Sequence, residues 1–302
     1  MTEALDSQVL NSRQRWVSRV QMACDGVTAP GMSSVSSNYA RLRQLHYVAS
    51  QLQKPNCDCR AALMDLVAEA FQNPIDSSPT GPLLFSEADC VNIKDRRNES
   101  PALIPSRISA GVSIASPRSP MPSAYAMLNT WSTWMSLYPY LDQVVTLSKR
   151  GLWDTVSSYT LTICPGVVYA DCVDDAARMA EILVHETAHN RLNAYLALFE
   201  PLSSSPTWWS PWRKMQRPAF GILHAMYAFS HVVAYFNWLL EGENSALFNR
   251  QYILLRLKDE ACALLQTYQS ATEALALVTD EALNLHLNVT FSEAKVLSLQ
   301  RA

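Results

Sequence analysis

Leu183-Val184-His185-Glu186-Thr187-Ala188-His189 reads as nearly two turns of buried helix carrying two imidazoles and a carboxylate. His185 and His189 are four apart, so both rings leave the same helix face and are spaced to share a metal ion. Glu186 follows one step round the helix, within reach of a metal-bound water or of a ligand. The flanks Ala176, Ala180, Ile182, Leu192, Tyr195 and Leu196 are apolar, which argues against a salt-bridged surface helix. Two histidines and a glutamate buried there without a partner would be costly, and a metal ion is the economical partner. Asp174 or Asp175 is the expected N-cap, and the helix should run to about Leu198, before Pro201.

Around this helix the chain reads as predominantly α with a few short β-strands, an α+β class. Helical periods cover Val9–Met22, Tyr39–Leu52, Cys59–Phe71, Ser123–Tyr138, Leu141–Lys149, Leu247–Ala274 and Glu281–Leu287. Turn-rich stretches fall at Ala29–Ser37 and Asn73–Pro82. Short β-like runs are expected at Val91–Ile93, Ile108–Ala115 and Thr160–Tyr169, and Ser203–Pro218 is expected to be irregular. The expected organisation is an N-terminal helical region, 1–82, and a metal-binding catalytic region, 83–302, within one continuous globular unit.

Charged residues are 17% of the 302 and the net charge is −3, so the composition offers no basic face for a nucleic acid. Seven cysteines are an odd number, which fits a reducing cytoplasm better than a disulfide framework; Cys57-Asp-Cys59 has no second pair to complete a metal set. The N-terminus is polar and mixed in charge, unlike a signal peptide. Ala219–Gly242, AFGILHAMYAFSHVVAYFNWLLEG, is long enough to span a bilayer, but its interior His224, Ser230, His231 and Asn237 suit a central buried helix rather than lipid. No membrane partner is expected. The core is expected to be the HExxH helix packed against this long apolar helix.

Two imidazoles do not complete a catalytic metal site. His224 and His231 lie on the helix expected to pack against the motif, whereas His46 and His286 have little context. Seven residues separate the first two, about 10 Å of rise, so one ligates and the other supports or lines the pocket. Arg217 precedes His224 by another seven residues and shares its stripe, with Arg213 in reserve. A cation two turns from a metal ligand suits a bidentate anionic cosubstrate, one end on the metal and the far carboxylate forked by a guanidinium. Trp212 and its neighbours Trp208 and Trp209 are candidate pocket walls.

The segments CPGVVYA, DDAARMAEILVHE, HETAHNRL and SPWRKMQRPAFGILHAMYAF, within residues 160–240, resemble the HExxH-motif proteins of peptide-modification gene clusters. That family consists of 2-oxoglutarate-dependent non-haem iron oxygenases that hydroxylate amino-acid side chains, commonly at the β-carbon. The resemblance implies His185, His189 and His224 as Fe(II) ligands and Arg217, with Arg213 second, as the 2-oxoglutarate clamp. O2 is the third reactant, and the substrate is an amino-acid residue in a peptide, on a carrier or free. Glu186 then supports a ligand or water. The alternative is a zinc peptidase or hydrolase with Glu186 as general base. His189 is followed by NRLNAYLALF, without the H-x-x-G-x-x-H extension, and Glu241 and Glu243 lie about 25 Å along the helix from His224.

Overall fold

The computed structural model describes residues 2–25, 39–53, 61–65, 82–93, 102–105, 112–113, 121–199, 202, 204, 206–242 and 248–301. Cys57-Asp-Cys59, the turn at Ala29–Ser37, the boundary stretch up to Gly81 and Glu243 lie outside them. The described part is mostly helical with short strands, as the α+β class requires. In chain order come helices α1 (Thr2–Asp25) and α2 (Tyr39–Leu52), then strands β1 (Leu83–Ser86), β2 (Cys90–Ile93), β3 (Ala102–Pro105) and β4 (Val112–Ser113). Helices α3 (Met121–Leu128) and α4 (Trp134–Leu137) follow, then β5 (Gln143–Arg150), β6 (Ser158–Tyr159) and β7 (Val167–Val173). The remainder is α5 (Ala176–Leu196), β8 (Thr207–Ser210), β9 (Met215–Pro218), α6 (Ala219–Glu241), α7 (Arg250–Leu275) and α8 (Glu281–Leu299).

The chain forms two compact units. One, Leu10–Ala126 with Pro139–Asp174, is built on a five-stranded sheet of order β4-β1-β5-β7-β6. Its three central strands are parallel and the two edge strands antiparallel. Residues 141–149, expected as helix, are instead the central strand β5. Val144 and Val145 are consecutive and both fully buried, as a strand covered on two faces demands. A short apolar run does not distinguish that from a buried helical turn, and the β-branched Val-Val-Thr sequence decides for the strand once β1 and β7 flank it. The expected strand at Val91–Ile93 is β2, paired with β3.

At the start of this sheet Gly166 adopts φ 85° and lies against Asp142, whose Oδ2 a Cβ at 166 would meet at 2.1 Å. That oxygen is buried and has no hydrogen-bond partner among the described residues. Burial pushes the Asp142 carboxyl above its ordinary value of 3.8, against the opposing attraction of Arg13. The folded state therefore prefers the neutral acid, a contribution present in full below the unfolded pKa and lost as pH rises through the folded one. Asp142→Asn is expected to raise the thermal unfolding midpoint at pH 7 and to leave it unchanged near the acid end of the titration. A lower midpoint at pH 7 would mean that Arg13's attraction outweighs burial.

The other unit joins Met1–Val9, Met127–Tyr138 and Asp175–Ala302. Here α6 packs against α5, α7 and α8. It is long and apolar enough to cross a membrane, yet 78% of its apolar window is buried inside the fold. Three of the helices have acceptor side chains at their N-caps: Asp175 takes the Arg178 N–H, Asn249 that of Tyr252 and Asp280 that of Leu283. The helix expected over 123–138 is instead interrupted between α3 and α4, where the Thr130 hydroxyl donates to the Met127 carbonyl and competes with the helical ladder. The segment expected to be irregular contains a β-hairpin, β8 with β9, closed by Pro211–Lys214, in which Lys214 takes φ 50°. Two indoles fasten it to α7: Trp208 donates to Glu273 at 2.8 Å and Trp212 to Glu260 at 2.7 Å.

Candidate metal centre

Helix α5 presents His185 and His189 one turn apart, and α6 brings His224 to them. His185 Nε2 and His189 Nε2 are 3.1 Å apart, and His189 Nδ1 and His224 Nδ1 are also 3.1 Å apart. The first separation is that of two nitrogens bound side by side to one ion at about 2.1 Å. The His189 ring thus stands between the other two and turns a different nitrogen to each. Three donors do not yet aim at one point, and among the described residues no three His, Cys, Asp or Glu side chains do. A shared ion calls for rotation of an imidazole.

Two observations suit these rings to a cation. His224 Nε2 is buried and has no hydrogen-bond partner among the described residues, an acceptor or donor left to something else. Burial, with the charges of Arg256, Arg178 and Arg213, lowers His185 to about 3. His189 is held well below the ordinary imidazole range by burial, by His185 and by Arg213 and Arg217; His224 is held there by burial, His189 and Arg217. All three are neutral at physiological pH, the form in which imidazole ligates. The donor set of borderline nitrogens fits Fe(II) or Zn(II) rather than a hard cation.

Glu186 is 3% exposed and its Oε1 stands 4.0 Å from His185 Nε2, beside the ring and beyond hydrogen-bond length. Arg213, in the hairpin turn, and Arg217, on β9, have no carboxylate partner among the described residues. Arg217 belongs to the strand preceding α6 rather than to the helix itself. Its guanidinium lies against Gly221 in the first turn of that helix, at the positive end of the helix dipole. A cation without a carboxylate among the described residues, held at that end beside neutral imidazoles, makes an electropositive corner.

Aromatic rings close the surroundings. Phe220 covers His224 with centroids 4.1 Å apart, and Phe229 meets His185 edge-on at 4.6 Å. Trp212 stacks flat on Phe229, 4.7 Å away and 2° from parallel. Trp212 is thus one ring removed from His185, held by Glu260, which Arg256 ties in turn to Glu181, one turn before His185. Sequence reading missed Phe220, Phe229, Gly221 and this ion network. The local signals were the Arg256–Glu260 and Arg178–Glu181 spacings of intrahelical ion pairs.

His231 is not brought to the motif. Its Nδ1 faces the Tyr227 carbonyl of its own helix at 2.8 Å, and burial lowers it to about 3. Its neighbours are Tyr227 and, through it, His286, whose Nε2 is 3.1 Å from the Tyr227 hydroxyl. No family model matches the chain, and no curated protein matches it either.

Proposed function

We propose that the chain is an Fe(II)- and 2-oxoglutarate-dependent oxygenase acting on an unactivated C–H bond of an amino-acid side chain, in a peptide, on a carrier or free. The observation that carries this reading is the pairing of a row of three neutral imidazoles, with His189 touching the other two, with two guanidiniums that have no carboxylate among the described residues. In a hydrolytic zinc site the protein needs a water and a base. Unpaired arginines are surplus there, whereas a dicarboxylate cosubstrate requires one.

His185, His189 and His224 would hold the iron, with α5 and α6 as the catalytic core. Bound iron, with O2 and the keto acid, supplies the oxidising power for C–H cleavage. The rest falls to the chain. Arg217 forks the far carboxylate of 2-oxoglutarate, aided by the dipole at the start of α6, and Arg213 adds charge from the hairpin turn. Phe220, Phe229 and Trp212 keep water from the rings and fix their planes. Glu186 stands beside His185 as a support for the ring or for a water. That same carboxylate favours the second reading, a zinc hydrolase with Glu186 as proton acceptor.

One titration separates the two. Anaerobic addition of Fe(II) and then 2-oxoglutarate should produce a visible metal-to-ligand charge-transfer band. Arg217→Ala should weaken keto-acid binding at least about 30-fold while metal binding holds, because one partner of a charge-assisted pair is removed. Peptide hydrolysis by the zinc form without keto acid, and no band with iron, would overturn the oxygenase reading.

A further inference from the structure

We infer that Gly221 is a positioning residue: its missing side chain is the space in which the Arg217 guanidinium lies, and so it sets where the site's anion is held. This rests on the 2-oxoglutarate reading for the identity of that anion.

Gly221 occupies the first turn of α6, three residues before His224. Its backbone is helical, so no unusual φ calls for glycine there, and glycine weakens a helix relative to alanine. The reason for it lies in its neighbour. A Cβ at this position would stand 2.6 Å from Arg217 Nε, 3.0 Å from Nη2 and 3.2 Å from Cβ, so the arginine is laid along the bare Cα. No carboxylate among the described residues holds the guanidinium in that pose, and the helix dipole opposes it. Close packing against the glycine is what remains. The nearest clashing atoms belong to the flexible end of an arginine, so a methyl group at 221 would displace the guanidinium and leave the helix intact.

That separation of effects is the test. With Mn(II)-loaded protein as a redox-inert form, Gly221→Ala is expected to weaken 2-oxoglutarate binding by roughly 10- to 100-fold, as displacements of about 1 Å do. Metal affinity should be unchanged and the thermal midpoint equal or higher, the opposite of a merely structural lesion. In an Arg217→Ala background the glycine substitution should add nothing. A parallel readout follows the Arg217 Nε–H resonance, identified by its loss in Arg217→Lys, in ligand-free protein: it should shift in Gly221→Ala. Wild-type affinity in Gly221→Ala would overturn the inference and leave the oxygenase reading standing. If the wild type takes up no 2-oxoglutarate, that reading falls, and the resonance alone decides: an unshifted signal overturns Gly221's hold on Arg217, a shifted one supports it.

Discussion

His189→Ala is expected to abolish metal binding and with it activity, a loss of affinity of at least about 100-fold, larger than replacing a residue that only supports a ligand. His189 is the ring that touches both others, at 3.1 Å on each side, so its removal separates His185 from His224 as well as deleting a donor. Removing the outer ring of a row leaves one contact; removing the middle one leaves none. The folded state should survive, since a partly buried polar ring whose ionisation is already disfavoured is exchanged for a methyl group. Metal content after dialysis against Fe(II), with far-ultraviolet circular dichroism as the fold control, reads both quantities. His231→Ala is the comparison: its ring bonds its own helix and should leave metal content unchanged. Stoichiometric metal in His189→Ala would remove the three-histidine assignment.

The largest stability effect is expected at Asp6→Ala, about 3–5 kcal/mol by urea unfolding, because it strands a buried cation. Arg191 is 1% exposed and lies on α5, two residues after His189. Its Nη2 donates to Asp6 Oδ2 at 2.6 Å and its Nε to Asp6 Oδ1 at 3.2 Å and to the Tyr195 hydroxyl at 2.7 Å; Nη1 donates to Ser136 Oγ at 3.0 Å. Tyr195 in turn donates to Asp6 at 2.6 Å. The first turns of α1 are thus tied to the HExxH helix through one guanidinium. Arg191→Lys should also fail to restore stability, since an ammonium does not reproduce the fork. Asp6→Asn, which keeps acceptor geometry, should cost less than Asp6→Ala. Equal stability of Asp6→Ala and wild type would show that solvent replaces the carboxylate.

Much of the helical framework was legible because it is local. The helix around His185 and His189, with a cap at Asp174 or Asp175 and an end near Leu198, follows from spacing along a single helix; the structure caps it at Asp175 and ends it at Leu196. Tyr39–Leu52 was likewise legible from its period. Leu141–Lys149 was not: Val144 and Val145 become a strand only because β1 and β7 pair on either side, and those partners are tens of residues away. The hairpin over Thr207–Pro218 was hidden for the same reason, its Trp208 and Trp212 looking like loop residues until Glu273 and Glu260 accept their indoles.

Sequence by itself determined that two imidazoles share a helix face and that a second apolar helix offers His224 or His231, both matters of residues per turn, and that arginines precede that helix, a matter of chain order. Only the tertiary structure decided that His224, not His231, meets the motif, that His189 turns a different nitrogen to each neighbour, and that Arg217 rests on Gly221. Helical period tells which side chains share a face. The rotation of one helix against another, and the room left by a missing Cβ, are set by packing between distant segments, which no local pattern records.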